Sequence, residues 1–332
     1  MSNPSPLLTI AIPTYNRAAD LTTALAHIAG QLGPVADAVE VLVSDNCSTD
    51  GTEGVVRKYI EQGFRINYYK NRENIGPDNN FLQCFNAASG KYVWILGDDD
   101  IVLDGALARI LPVLASGEYG LLYLNSYGFA ADPAAERPGP GPEGYEVYDT
   151  PPPFLARAGY FLTFISTSVV NKELAARNMD VESFRSTNLI QLAWTFNAVF
   201  NARSNAFLKS YAVAAKTGAS GGYKLCQVFG RNFQRAFDIY IAKGVPVEYF
   251  EIIKKKMLAN FFPANIIRAR RNMFKGRSED YFGTLYPLFR RYPSFWIFTV
   301  PAIFLPSGLA FMLYSAALKL RRLKAARGGR AA

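Results

Sequence analysis

Cysteine is scarce in this chain. Three residues among 332, at positions 47, 84 and 226, are too few and too scattered for a disulfide framework or a zinc site. A reducing cytoplasm is the setting this implies. Histidine is scarcer still: His27 is the only one, and it falls inside a helix-like stretch where a structural role is expected. No early apolar run is followed by G-x-G-x-x-G, which argues against a dinucleotide-dependent oxidoreductase. No internal repeat is visible. The first eight residues show no basic stretch leading into an apolar core, so no secretory signal is expected. With 50% hydrophobic and 19% charged residues, the composition excludes a disordered or collagenous chain.

Acidic residues are missing from one end. Residues 1–253 carry 20 Lys+Arg and 25 Asp+Glu, whereas residues 254–332 carry 16 Lys+Arg and only Glu279 and Asp280. The net charges are −5 and +14, a segregation that implies an anionic partner for the C-terminal end. Residues 254–276 mix Phe, Ile and Met with basic residues and suit a helix lying in a membrane interface. Residues 295–318 are uncharged and long enough to span a bilayer, but Pro301, Pro306 and Gly308 interrupt them and basic residues flank both sides. An interfacial or re-entrant segment is expected first, a single span second, a soluble core third. Nucleic acid ranks low as a partner, because no helix-turn-helix, ribonucleoprotein or zinc pattern accompanies the charge.

What is present is an alternation of two periods. Short apolar, β-branched and aromatic runs at 7–13, 39–44, Ile66–Lys70 and 92–97 alternate with helix-like stretches at 17–31, 52–62 and 79–89. That order predicts a mostly parallel sheet with helices on both faces, and such sheets bind ligands at the carboxyl ends of their strands. Polar clusters stand at those ends. Residues 132–153, with seven prolines and three glycines, read as a surface excursion that is neither helix nor central strand. An apolar run follows at 156–170, a helix is predicted over 188–202, and residues 216–223 form a small-residue loop.

Four clusters carry candidate chemistry. Asp98, Asp99 and Asp100 close the fourth apolar run. Three adjacent carboxylates repel one another by about 1 kcal/mol per pair at 4 Å in water, and about 4 at an effective dielectric of 20. A partly buried triplet therefore favours a hard cation, Mg²⁺ or Mn²⁺; a solvated acidic turn capping the helix near Asp104 is the alternative. Asp45 and Asn46 follow the second run and offer the groups that read a nucleobase edge, while Ser48, Thr49 and Asp50 suit helix capping. Thr14 and Tyr15 offer a surface for a base or ribose, and Arg17 reaches for a phosphate; an ordinary strand-to-helix turn would look the same. Asn74 and Gly76 open a helix whose free N–H groups favour anions. Lys216, ahead of the small-residue loop, is placed either over a diphosphate or in a plain surface loop.

The stretches IPTYNR, VLVSDNCSTDGT and NIGPDNNFLQCFNAASGKYVWILGDDD resemble the nucleotide-sugar domain of family 2 glycosyltransferases, which have the GT-A fold. The resemblance is closest to the abequosyltransferase-like bacterial subgroup that builds surface polysaccharides. It is strong over 7–125, weaker to about residue 225, and lapses beyond. It implies inverting transfer of a sugar from a nucleoside diphosphate, with a divalent metal. By the same resemblance Thr14 and Tyr15 lie against base and ribose, Asp45 accepts from the base, Asp98 meets the ribose, and Asp99, helped by Asp100, holds the metal. The family's catalytic base is an acid at a helix start. The matching stretch 184–188 carries none, and Asp180 and Glu182 are the nearest acids. The expected organisation is a nucleotide-sugar half at 1–130, an acceptor-side half at 131–253 and a membrane-associating region at 254–332. The expected partners are a nucleotide sugar, a lipid-linked glycan and the cytoplasmic face of the inner membrane. A catalytically inactive nucleotide-sugar or glycan-binding protein on the same fold is the competing reading.

Overall fold

The computed structural model describes residues 5–139, 141–218, 222–273 and 277–328, with side chains as far as residue 319. Parts of three sequence features lie outside the described residues: 219–221 of the small-residue loop, 274–276 of the Phe-rich basic stretch, and the side chains of the basic run after Lys319. The chain divides into two compact units, residues 1–217 and 218–332.

The first unit is built on one nine-stranded sheet. Its strands are β1 (Leu8–Thr14), β2 (Val39–Asp45), β3 (Ile66–Lys70), β4 (Tyr92–Ile95), β5 (Ile101–Val102), β6 (Leu121–Phe129), β7 (Tyr145–Tyr148), β8 (Ser168–Asn171) and β9 (Asn205–Lys216). They lie in the order β3-β2-β1-β4-β8-β6-β9-β5, and β7 adds to β9. The half containing β3, β2, β1 and β4 is wholly parallel; antiparallel pairing enters where β8 meets β4. All seven residues of β1 are buried, as expected for a strand covered on both faces. Register sets Thr14 opposite Asp45, and Asp45 opposite Lys70, so the polar ends of three strands meet at one edge.

Helices α1 (Ala18–Leu32), α2 (Thr52–Glu61), α3 (Pro77–Ala87), α4 (Ala106–Ser116), α5 (Pro151–Ala158), α6 (Lys172–Ala176) and α7 (Leu192–Asn201) flank the sheet. In α1 the buried residues Leu21, Ala24, Leu25, Ile28 and Leu32 recur at helical spacing and turn one stripe inward. Trp94 and Cys84 are buried.

One expectation needs correction. The excursion 132–153 contains strand β7, and its last prolines open α5. Proline is compatible with a helix's first turn, where the missing N–H has no intrahelical partner anyway. The apolar run 156–170 holds the end of α5, two 3₁₀ turns at Gly159–Thr163 and Ile165–Thr167, and the start of β8.

The second unit is helical among its described residues. It contains α8 (Phe233–Ala242), α9 (Val247–Lys256), α10 (Phe262–Arg270), α11 (Tyr281–Phe289), α12 (Val300–Phe304) and α13 (Ser307–Gly328). Most large apolar side chains among the described residues of the basic stretch 254–276 turn inward. Met257, Leu258, Phe262, Ile266 and Ile267 are buried, and Lys254 is buried against Glu251 at 3.1 Å. The uncharged run 295–318 is broken into a π-helical turn at Phe295–Thr299, then α12, then α13, with the break at Leu305 and Pro306. Among the described residues no helix is long and apolar enough to cross a membrane.

Candidate active site

The strand ends of the parallel half bring most of the candidate residues together. Thr14 ends β1 and its hydroxyl donates to Asp98 Oδ2 at 2.8 Å. Arg17, just ahead of α1, donates through Nη1 to Asp98 Oδ1 at 3.0 Å and to Asp99 Oδ2 at 2.8 Å. Asp100 turns the other way: Oδ2 accepts from Ser166 Oγ at 2.5 Å and Oδ1 from the Lys216 backbone N–H at 3.0 Å. Trp94 fixes this side, its indole donating to the Ser166 carbonyl at 2.8 Å. Burial pushes Asp98 up to about 6 and Asp100 up to about 7, against hydrogen bonds that favour their charged forms. Lys216 Nζ pairs with Asp20 at 2.5 Å, and both line a pocket of about 190 Å³ together with Thr23, Asp99, Ile101 and Phe129.

A second cluster adjoins the first. Asp45 is fully buried, with Oδ1 accepting from the Ser48 N–H at 2.8 Å and Oδ2 from the Tyr68 hydroxyl at 2.7 Å. It supports the turn that follows β2. Asn46 and Asn74 bond to each other at 2.8 Å, and Asn46 Oδ1 also accepts from the Ile75 N–H at 2.9 Å. Asn74 in turn accepts from the Gly76 N–H at 2.9 Å. Gly76 has φ +81°, a left-handed conformation that glycine adopts without a Cβ clash, and it starts α3. Asp45, Asn46, Asn74 and Gly76 thus tie two strand-end turns together. Tyr15 stands exposed beside them.

The triplet's fit to a divalent cation rests on its donor geometry. A Cβ built on Gly97 would lie 3.0 Å from Asp100 Oδ2, and 3.3 Å from both Asp99 Oδ1 and Ser166 Oγ. The three heavy atoms nearest that point are therefore all oxygens, two of them from carboxylates. Among the described residues no three His, Cys, Asp or Glu side chains form a metal-holding group. Asp98 is turned towards Thr14 and Arg17 instead. The residues fit a hard ion held by one or two carboxylates, whose shell is completed by phosphate and water.

The two acids nearest the expected base position sit in a different turn. Asp180 Oδ1 accepts from the Ser183 N–H at 3.1 Å, a local cap on the 3₁₀ turn Glu182–Phe184. Glu182 is exposed and pairs with Arg185 Nε at 2.7 Å, a hydrogen bond that holds its carboxyl below the usual range.

Two site residues carried no sequence signal. Ser166 lies in an apolar run 66 residues from Asp100, and Tyr68 sits inside a strand. Asp78, in the first turn of α3, accepts from the Asn188 N–H at 3.3 Å; the Ser186 and Thr187 amides also bond to it, and burial raises its pKa. The acid-free turn 186–188 therefore hangs on a carboxylate supplied through space.

A mixed sheet whose parallel half gathers carboxylates and a basic side chain at its strand ends places them where open α/β sheets bind ligands. The sequence profile of Glycosyl transferase family 2 matches residues 9–206, and the chain belongs to that family. It is 40% identical over 111 residues to abequosyltransferase RfbV of Salmonella typhimurium, a match covering 33% of each chain. It is 36% identical over 113 residues to the GalNAc(5)-diNAcBac-PP-undecaprenol beta-1,3-glucosyltransferase of Campylobacter jejuni, covering 34% of this chain and 36% of the relative. Each match thus spans only about a third of the relative's length. The fold is similar to TarS 1-349 from S. aureus, solved with UDP (TM-score 0.59, 20% identity, 77% of this chain and 74% of that one). It is also similar to the mannosyltransferase PcManGT from Pyrobaculum calidifontis, solved with GDP-Man and Mn²⁺ (TM-score 0.55, 18% identity, 96% and 88%). The GT-A-type architecture expected from the sequence is the one observed.

Proposed function

We propose that this chain is an inverting glycosyltransferase that moves a sugar, of the hexose or deoxyhexose class, from a nucleoside-diphosphate sugar to a lipid-linked glycan in polysaccharide assembly. The observation that carries this reading is the convergence of Thr14, Arg17, Asp98, Asp99 and Asp100 at the strand ends of a family 2 domain. The base and ribose would rest on Tyr15 and on the turn braced by Asp45, Asn46, Asn74 and Gly76, with Asp98 and Thr14 meeting the ribose. Arg17 bonds to Asp99, and Lys216 lines the same pocket as Asp99, where their charge would balance the diphosphate.

Asp99 and Asp100 would hold Mg²⁺ or Mn²⁺. When bound, the ion offsets the negative charge that grows on the leaving diphosphate. The acceptor hydroxyl attacks the anomeric carbon from the face opposite the diphosphate, and a carboxylate takes its proton. Of the two acids near the expected position, Asp180 is assigned this role before Glu182. Arg185 stabilises the anion of Glu182 and so makes it the weaker base.

The second unit is assigned to the cytoplasmic face of the inner membrane, peripheral or monotopic. Trp296, Ile297, Phe304, Phe311, Met312 and Leu313 are exposed there, on a stretch whose neighbourhood holds 16 basic and two acidic residues. Arg290 lies 5.9 Å from the Tyr286 ring, and Trp296 packs edge-on to that same ring. Aromatic and cationic side chains side by side suit the headgroup layer of an anionic bilayer.

Turnover of a radiolabelled nucleotide sugar, with wild type, Asp99→Asn and Asp180→Asn, tests the proposal. Transfer lost in both variants while nucleotide binding persists in Asp180→Asn supports it. Nucleotide binding without turnover in the wild type would favour the binding-protein reading, which the pairing of Glu182 with Arg185 keeps open.

A further inference from the structure

We infer that Arg17 is the resident counter-ion of the carboxylate triplet and that it exchanges with the divalent ion, delivering its charge to the donor's diphosphate. The inference rests on the metal-and-donor reading above and adds an order and a coupling to it.

Asp99 is the pivot. Its Oδ2 accepts from Arg17 at 2.8 Å, while its Oδ1 borders the point beside Gly97 that Asp100 Oδ2 also borders. The other two carboxylates have further partners. Asp98 accepts from Thr14, and Asp100 from Ser166 and the Lys216 amide. Asp99 relies on Arg17 alone among the described side-chain hydrogen bonds. One guanidinium nitrogen, Nη1, serves both Asp98 and Asp99. The remaining guanidinium nitrogens make no hydrogen bond among the described residues, and the side chain is 40% exposed. A planar fork with most of its donors open is suited to bidentate contact with a phosphate.

Two consequences follow from charge. A divalent ion next to Asp99 Oδ1 competes with the guanidinium for the same carboxylate and is repelled by it, so Arg17 lowers the ion's affinity in the absence of an anion. A diphosphate reverses this by attracting the guanidinium away. Ion and diphosphate then strengthen each other's binding by one reciprocal factor, and Arg17 is its source.

The experiment uses the full-length protein, with Mn²⁺ alone and inorganic pyrophosphate as probes that do not depend on the base or the sugar. Free Mn²⁺ is followed by electron paramagnetic resonance, and pyrophosphate binding by calorimetry with and without Mn²⁺. Arg17→Gln is expected to bind Mn²⁺ alone about tenfold more tightly than wild type. Its pyrophosphate affinity should fall, and the factor by which each probe strengthens the other should approach one. Arg17→Lys, which keeps the charge but not the fork, should retain weak Mn²⁺ binding and lose part of the pyrophosphate affinity. If Arg17→Gln binds Mn²⁺ no more tightly than wild type, or keeps the full coupling, the exchange is overturned while the metal site stands. If neither protein binds Mn²⁺ even with pyrophosphate present, the metal reading itself fails, and the exchange with it.

Discussion

Asp100 is a carboxylate nearly closed off from water, beside two others, and its side-chain hydrogen bonds among the described residues come from the Ser166 hydroxyl and the Lys216 amide. Burial raises it from 3.8 to about 7, and Asp98 to about 6. Because these folded-state values lie above the unfolded one, the folded protein holds extra protons between about pH 4 and pH 7. Their stabilising contribution is full below that window and is lost as pH rises through it. Relative to wild type, Asp100→Asn should therefore gain stability as pH rises from about 4.5 to 7.5 without metal, as read by urea unfolding. Saturating Mn²⁺ should stabilise wild type and leave Asp100→Asn nearly unmoved. A variant whose stability relative to wild type does not change with pH would contradict the burial argument. Asp45→Ala, in turn, strands the Tyr68 hydroxyl and the Ser48 amide, a loss of about 1–3 kcal/mol in stability, and it should also weaken nucleoside-diphosphate binding in calorimetry. Legibility was uneven at this scale. The triplet, Thr14 and Arg17 were visible because they follow apolar runs directly. Ser166 and Tyr68 were not, because each reaches the site through the fold from a segment with no polar pattern; Asp78 lies in the visible polar turn NIGPDNN, but its bond to the 186–188 turn is made only through the fold.

The strands and helices between residues 7 and 97 were legible because short apolar runs alternate with helix-like stretches and polar turns, whereas β5 and β6 were not read from the sequence. The element misjudged was α5, because the prolines at 151–153 were read as excluding a helix and instead open one. Close approach between elements was also invisible in the sequence. A Cβ on Gly120 would fall 2.0 Å from the Ala198 carbonyl oxygen and 2.5 Å from the Ala202 Cβ. Gly120→Ala must push α7 away from the start of β6, and a loss of about 3 kcal/mol or more is expected in urea unfolding. Gly97→Ala differs in kind. Its Cβ meets the side-chain oxygens of Asp100, Asp99 and Ser166, so the fold should survive while Mn²⁺ binding is lost. Unchanged Mn²⁺ affinity in folded Gly97→Ala would move the ion elsewhere.

Charge is sorted along the whole chain, and this was the one large-scale property plain from the sequence. The structure changes which residues would meet a bilayer. The apolar side chains of 254–270 largely fill the second unit's interior, whereas those around Trp296 to Leu313 lie outside. Replacing Ile297, Phe304 and Met312 together by Ser should leave thermal stability close to wild type, since all three are 62% exposed. The same replacement should release the protein from anionic vesicles in high salt, where wild type floats in part. Failure of the wild type to float with anionic vesicles at low salt would detach the second unit from the membrane. The central claim, that the strand-end carboxylates serve sugar transfer, is tested most directly by incubating the full chain with a panel of radiolabelled nucleotide sugars, Mn²⁺ and a bacterial lipid-linked glycan extract. The account predicts that one nucleotide sugar passes its label to the extract and releases its nucleoside diphosphate only when extract is present, and that Asp99→Asn and Asp100→Asn abolish both. Binding of a nucleotide sugar with no transfer under any of these conditions, or transfer undiminished in both variants, would contradict it.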